Sequence, residues 1–137
     1  MPNTSWCSFG YTVMGSPSGS AQNNRSGVLS AMSWLSYDGA NAYSASKAAA
    51  WSLTNGIRLE LAGQGTTVAG LYLASTDTDM MAGWDVEKND PADVVRAALD
   101  GIEAGRMEIL ADDNSVQLKA ALSADPSVLY PQTVPAA

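Results

Sequence analysis

Two apolar runs of strand length flank a long alanine-rich segment, and this arrangement constrains the fold more than any other feature of the chain. Residues 28–35 are apolar and lead into a turn-forming Ser-Tyr-Asp-Gly, and residues 68–74 form a second apolar run. Between them, residues 42–61 are rich in helix formers and are followed by Gly63 and Gly65, which is typical of a long helix. A strand, a helix and a strand in this order predict a right-handed crossover between parallel strands.

The same alternation continues towards the C-terminus. Asp90 followed by Pro91 is typical of a helix start, and we predict a helix that runs to about Ala104. Residues 107–111 are predicted to form a third strand, and residues 113–124 a final helix. The pattern therefore predicts an α/β fold with a parallel sheet of about three strands.

The length of 137 residues suits one domain with flanking segments. Residues 1–27 lack helical or strand periodicity, apart from a short strand at 8–14, and are predicted to form an irregular N-terminal arm. Residues 28–124 form the predicted domain, and residues 125–137, which contain three prolines, form a tail that is either draped over the domain or disordered.

The composition excludes several kinds of chemistry. The chain has no histidine and a single cysteine, so Ser-His-Asp and Cys-His arrangements, histidine-ligated metals and an internal disulfide are excluded. A net charge of −7 argues against nucleic acid and anionic membranes as partners, because their binding relies on basic side chains. No stretch approaches the roughly 18 consecutive apolar residues of a transmembrane helix, and no signal-peptide pattern is present, so we expect a cytoplasmic protein.

The residues with the clearest chemical pattern lie at the start of the long helix. Tyr43 and Lys47 are four residues apart, which places a phenol and an ammonium group on one helix face. There the cation can lower the pKa of the phenol towards a range useful for proton transfer. Ser30 lies thirteen residues before Tyr43 at a strand end and can meet the pair; Ser33, at ten residues, fits this spacing less well.

At these positions the chain resembles the short-chain dehydrogenase/reductase family, whose pattern is Tyr-x-x-x-Lys with a serine upstream. The resemblance covers residues 28–123 and implies a three-layer, truncated Rossmann-like sheet. It also implies NAD or NADP as cofactor and a small alcohol or carbonyl compound as substrate. By resemblance, Tyr43 exchanges a proton with the substrate, Lys47 lowers the tyrosine pKa and holds the ribose, and Ser30 orients the substrate oxygen. The segments that carry the resemblance are YSASKAA at 43–49, RLEL at 58–61, GTTV at 65–68 and TDTDM at 76–80.

Two parts of the chain depart from the family pattern. The family loop Pro-Gly-x-Val-x-Thr, which contacts the nicotinamide, is represented by residues 73–78, which keep Thr78 and, as a weaker candidate contact, Thr76. Too few residues precede Ser30 to build the glycine-rich dinucleotide-binding half, and residues 13–21 echo its glycine pattern only faintly. Adenosine and pyrophosphate therefore have no evident binding residues.

Two other functions are compatible with the sequence. Ser44 and Lys47 form a Ser-x-x-Lys pattern, in which a lysine activates a serine nucleophile, so a Ser-Lys hydrolase acting through Ser44 or Ser30 is an alternative. The companion motifs of penicillin-binding enzymes are absent. The third interpretation is a non-catalytic fragment or association module.

Four acidic residues are weak candidates for calcium ligands: Asp77 and Asp79, with Asp112 and Asp113 as helpers. We interpret them as solvated loop carboxylates and predict no metal site.

The sequence also predicts self-association. A parallel sheet with open edges favours association, and the family commonly dimerises through the helix equivalent to residues 42–61. Small side chains line that helix and predict a homo-oligomer formed through it: Ala45, Ala48, Ala49, Ser52 and Gly56.

Overall fold

The computed structural model describes residues 11–15 and 23–135 and shows one sheet with helices on both faces. The strands are β1 (Tyr11–Gly15), β2 (Asn23–Ser30), β3 (Thr67–Leu73) and β4 (Glu108–Leu110). The helices are α1 (Asn41–Ala62), α2 (Pro91–Glu103), α3 (Asp113–Ala121) and α4 (Pro126–Leu129). Short 3-10 turns occupy Ala31–Ser33, Asp79–Met81 and Pro131–Thr133.

The sheet has the strand order β1-β2-β3-β4, and β2, β3 and β4 run parallel to one another. Val28 lies opposite Leu71, and Leu71 lies opposite Ile109, so the three parallel strands are aligned across the sheet. This arrangement confirms the predicted α/β class and its three parallel strands. β1 adds a fourth strand, antiparallel to β2, at the outer edge.

Two hydrophobic cores, one on each face of the sheet, make the fold three-layered. On one face, α1 and α3 cover Leu29 and Tyr72, together with Trp34. On the other face, α2 covers Leu71 and Ile109. α2 approaches closely because Gly101 has no side chain: a Cβ there would lie 2.6 Å from Ile109 Cδ1.

Local chemistry explains where the helices begin. The turn before α1 contains Gly39, whose φ of +83° is readily adopted only by glycine. α2 begins as predicted, with the Asp90 side chain accepting a hydrogen bond from the backbone N–H of Ala92 and with Pro91 in the first turn. α3 begins after Asp112, whose side chain accepts from the N–H of Ser115.

The strand boundaries near the N-terminus correct the sequence-based prediction. β2 begins at Asn23 and ends at Ser30, whereas the predicted strand spanned 28–35, so residues 23–27 of the predicted arm belong to the sheet. These residues have no strand pattern of their own; they are extended because they pair with β1 and β3. The strand predicted at 8–14 is found at Tyr11–Gly15, and residues 8–10 lie outside the described part.

The C-terminal segment is draped over the domain up to residue 135. It contains α4 and a following 3-10 turn, and the hydroxyl of Tyr130 accepts a hydrogen bond from the backbone N–H of Ser36, at 3.1 Å. Within the described ranges, none of the helices is both long enough and apolar enough to cross a membrane.

Candidate active site

The site begins at Ser30, the last residue of β2. The preceding Leu29 is buried in the core, which orients the strand, and the chain then turns sharply into Ala31–Ser33. The hydroxyl of Ser30 accepts a hydrogen bond from the N–H of Met32 at 3.1 Å. Ser30 is half-buried and therefore presents its hydroxyl at the carboxyl edge of the parallel sheet, where α/β folds bind ligands.

Tyr43 and Lys47 lie on the first two turns of α1, beside Ser30. The side chains of Ser30 and Tyr43 are hydrogen-bonded to each other. The Lys47 ammonium lies over the Tyr43 ring, with Nζ 5.5 Å from the ring centroid, a cation–π arrangement. Both side chains are half-buried. The structure thus brings together all three residues that the sequence spacing singled out.

The electrostatics of Tyr43 differ from the sequence-based expectation. Burial raises the pKa of the Tyr43 phenol above its usual value, the hydrogen bond with Ser30 lowers it in part, and the nearby phenol of Tyr37 raises it further. The net shift of the Tyr43 pKa is upward, opposite to the lowering that the sequence predicted, because desolvation of the phenol outweighs the hydrogen bond that lowers it. Tyr43 is therefore protonated at neutral pH and suited to donate a proton.

Ser33, the less well spaced alternative to Ser30, has a different role. It is buried, and its hydroxyl donates a hydrogen bond to the backbone carbonyl of Lys47 at 3.0 Å. This bond joins the 3-10 turn after β2 to the first turns of α1. Ser33 therefore holds the segments that carry Ser30 and Lys47 against each other, with its own hydroxyl already engaged.

Ser44, the alternative nucleophile, is buried within α1. Only 8% of its surface is exposed, and its Oγ has no hydrogen-bond partner within the described residues. A Ser-Lys hydrolase needs the lysine amine within hydrogen-bonding distance of an accessible serine. Lys47 instead contacts the ring of Tyr43, so the geometry does not favour a hydrolase acting through Ser44.

The two threonines singled out as cofactor contacts lie in the loop after β3 and differ in accessibility. Thr76 is buried, and its hydroxyl donates to the backbone carbonyl of Ala74 at 3.1 Å. Thr78 is exposed, and its hydroxyl donates to the carbonyl of Thr76 at 3.3 Å. Thr76 therefore stabilises the loop, and Thr78 is the more accessible of the two.

The acidic residues considered as metal ligands are not clustered. Asp77, Asp79 and Asp113 are exposed, and in the part of the chain that the structure describes no three acidic or cysteine side chains come together. Asp112 is half-buried, and both of its carboxylate oxygens accept hydrogen bonds from protein N–H groups. Its oxygens therefore serve the protein structure.

Comparison with known proteins agrees with this geometry. Residues 27–89, which contain Ser30, Tyr43 and Lys47, match the family model described as short chain dehydrogenase. A short chain dehydrogenase from Burkholderia cenocepacia J2315, solved in complex with NADP, superimposes with a TM-score of 0.72 and 29% identity over 80% of this chain. Over this region the chain is similar to the short-chain dehydrogenases.

A second solved structure shares the fold, and both solved structures are longer than this chain. The bulky-bulky ketone specific alcohol dehydrogenase from Comamonas testosteroni superimposes with a TM-score of 0.61 over 84% of this chain, and its 23% identity shows a shared fold alone. The chain covers 47% and 45% of the two solved dehydrogenases, so it spans less than half of their length. No curated protein matches the chain.

The described residues fit one part of the dinucleotide that short-chain dehydrogenases use. Lys47 and Tyr43 supply an ammonium group and a hydroxyl at a half-buried edge, which is the donor chemistry that a ribose and nicotinamide need. The faint glycine pattern at 13–21 is followed at Asn23 by β2, and not by the helix that a dinucleotide-binding turn requires. Residues 16–22 lie outside the described part.

The sequence patterns did not reveal several residues around the candidate site. Asp112 joins the loop after β3 to α3, and its position before a helix start was a usable signal for a capping role. Tyr130 binds the N–H of Ser36 across 94 residues of chain, and Tyr37 lies near the phenol of Tyr43. No local pattern could have revealed these last two contacts, because they depend on chain segments that meet only in the folded protein.

Proposed function

We propose that this chain carries the catalytic residues of an NAD- or NADP-dependent oxidoreductase that acts on a small alcohol or carbonyl compound. The observation that carries the proposal is the grouping of Ser30, Tyr43 and Lys47 at the carboxyl edge of the parallel sheet. The match to the short chain dehydrogenases and the NADP complex of the Burkholderia cenocepacia protein support the choice of cofactor.

The proposed chemistry follows from the protonation state of Tyr43. When bound, the nicotinamide supplies or accepts the hydride. Tyr43, which is protonated at neutral pH, donates its proton to the carbonyl oxygen of the substrate during reduction and takes it back during oxidation. Ser30, hydrogen-bonded to Tyr43, orients the same oxygen. Lys47 holds the cofactor ribose, and Thr78 is the accessible threonine for contacts to the nicotinamide.

Cofactor binding provides the first test. We expect saturable binding of NADPH or NADH to the purified chain, measured by tryptophan quenching and by energy transfer to the nicotinamide. Lys47→Ala is expected to weaken binding about tenfold or more, because it removes a charged hydrogen-bond donor to the ribose. Arg96→Ala is the matched control: it also removes one positive charge, from an exposed position on α2.

The outcomes of this titration separate the interpretations. Binding that weakens in Lys47→Ala and not in Arg96→Ala supports the proposed site. Absence of binding at millimolar NADPH and NADH contradicts the dehydrogenase function of this chain. Equal weakening in both variants would indicate a general effect of charge and would also contradict a specific role for Lys47.

We further propose that the chain forms a homodimer through the outer face of α1. Ala45, Ala49 and Ser52 are exposed there, and Leu53 and Leu59 lie on the same helix with 49% and 81% of their surface exposed. Small side chains allow a second helix to approach closely, and the two leucines add apolar area that water would otherwise cover.

Sedimentation velocity tests this association. The wild-type chain is expected to sediment as a dimer, and Ala49→Arg as a monomer, because a long charged side chain at the centre of the face prevents close approach. Ala120→Arg, which places the same charge on an exposed position of α3, is expected to remain dimeric. A monomeric wild-type chain, or a dimer that tolerates Ala49→Arg, would contradict the proposal.

A further inference from the structure

The loop between β3 and α2 begins beside the candidate active site. Ser30 lies opposite Leu73 in the parallel ladder, and Ala74, the first residue of the loop, follows directly. The middle of the loop carries three apolar side chains that are about half exposed: Met80, Trp84 and Val86. The first residues of the loop therefore lie at the same carboxyl edge of the sheet as Ser30.

Backbone hydrogen bonds draw the two ends of the loop together. The N–H of Asn89 donates to the carbonyl of Ser75 at 2.8 Å, and the N–H of Asp77 donates to the carbonyl of Asn89 at 3.0 Å. Thr76 and Asn89 form a parallel bridge through these bonds. The two ends of the loop are thus joined to each other, whereas the 3-10 turn at Asp79–Met81 lies in the part of the loop between the two bridged residues.

Asp112, from the end of β4, binds both ends of the loop. Its Oδ2 accepts a hydrogen bond from the N–H of Ala74 at 2.8 Å and another from Nδ2 of Asn89 at 3.0 Å. Its Oδ1 accepts from the N–H of Ser115 at 2.7 Å, which fixes the carboxylate on the first turn of α3. These bonds are charge-assisted and partly buried, which makes them stronger than neutral bonds at the surface.

We propose that Asp112 is a positioning residue that holds the two ends of the loop 74–89 at the mouth of the active site. With both ends held, the half-exposed side chains of Met80, Trp84 and Val86 are kept in place to contact an apolar substrate. The substrate-contacting part of this inference rests on the proposed oxidoreductase function. The holding of the loop does not, because it follows from the contacts of Asp112 alone.

Asp112→Asn separates the two roles of this carboxylate. Asparagine caps a helix about as well as aspartate, so the N–H of Ser115 keeps its acceptor and α3 keeps its start. The new amide group, however, places N–H donors against those of Ala74 and Asn89, which removes the acceptor that both ends share. The helix α3 is therefore expected to keep its start, while the loop loses its attachment.

Amide hydrogen exchange of the chain without cofactor measures the attachment directly. In Asp112→Asn, the amides of residues 74–77 and 89 are expected to exchange about tenfold faster or more, and those of β2 and α1 at the wild-type rate. Asp125→Asn is the matched control, because Asp125 also caps a helix, α4, by accepting a hydrogen bond from the N–H of Ser127. Unchanged exchange in the loop of Asp112→Asn would overturn the proposal.

Steady-state kinetics test the positioning role. Asp112→Asn is expected to raise KM for an apolar ketone about tenfold, with a smaller change in kcat. The reason is that part of the free energy of substrate binding is then used to order the loop. Faster loop exchange with an unchanged KM would overturn the positioning role. A wild-type chain that neither binds cofactor nor turns over substrate would contradict the proposed function, a result that the exchange experiment distinguishes from a failure of the Asp112 contacts.

Discussion

Replacement of Tyr72 by alanine is expected to lower the free energy of unfolding by about 3–5 kcal/mol. Tyr72 lies on the central strand β3, is fully buried and stacks on Trp34 with ring centroids 4.6 Å apart. Its ring also covers Gly70, where a Cβ would lie 2.9 Å from the Tyr72 hydroxyl and Cε2. Alanine in place of this ring leaves a cavity in the core that α1 covers. Urea unfolding followed by circular dichroism measures the loss.

A matched tyrosine variant isolates the effect of burial. Tyr37→Ala removes an identical side chain from a position that is 50% exposed, and its effect is expected to stay within about 0.5 kcal/mol. A domain of this size has a total stability of about 5–15 kcal/mol, so Tyr72→Ala removes a large part of it. A loss below about 1 kcal/mol in Tyr72→Ala would show that the core relaxes around the missing ring.

Tyr43→Phe is expected to lower kcat for carbonyl reduction by about 10²–10⁴-fold, the usual contribution of a positioned general acid. The variant keeps the ring under the Lys47 ammonium and removes only the hydroxyl that is hydrogen-bonded to Ser30. Its effect should therefore appear in turnover, with cofactor affinity close to wild type. NADPH oxidation in the presence of a ketone, followed at the nicotinamide absorbance, measures kcat.

The pH dependence gives an independent signature of the same group. Burial raises the pKa of Tyr43 above its usual value of about 10, so the donor is protonated throughout the neutral range. Activity that needs this proton is present below the raised pKa and declines as pH rises through it. Tyr37→Phe, which removes the neighbouring phenol, is the control and is expected to retain turnover. Wild-type turnover in Tyr43→Phe would contradict the assignment of Tyr43 as proton donor.

Local sequence was sufficient for the elements whose causes are local. The helix that carries Tyr43 and Lys47 follows from helix-forming residues over about six turns, and an i, i+4 spacing puts the two side chains on one face without any tertiary information. The start of α2 at Asp90 and Pro91 likewise depends on neighbouring residues. The end of β2 differs from the prediction: the apolar run continues to residue 35, but the strand ends at Ser30 and a 3-10 turn follows at Ala31–Ser33.

The start of β2 shows where local reasoning fails. Residues 23–27 read Asn-Asn-Arg-Ser-Gly and have low strand propensity, yet they lie in the sheet between β1 and β3. These residues form a strand because they make hydrogen bonds to two other segments, and the sequence pattern of one segment does not predict such bonds. The same reason hid the contact of Tyr130 with Ser36 and the contacts of Asp112 with Ala74 and Asn89.

The α/β class and the shared helix face of Tyr43 and Lys47 follow from the amino-acid sequence, because strand length, helix propensity and the i, i+4 repeat act over short distances along the chain. The direction in which the pKa of Tyr43 shifts follows from the folded structure. That direction depends on how deeply the phenol is buried, on its hydrogen bond with Ser30 and on the nearby phenol of Tyr37. Desolvation and the position of a charge are properties of the packed molecule.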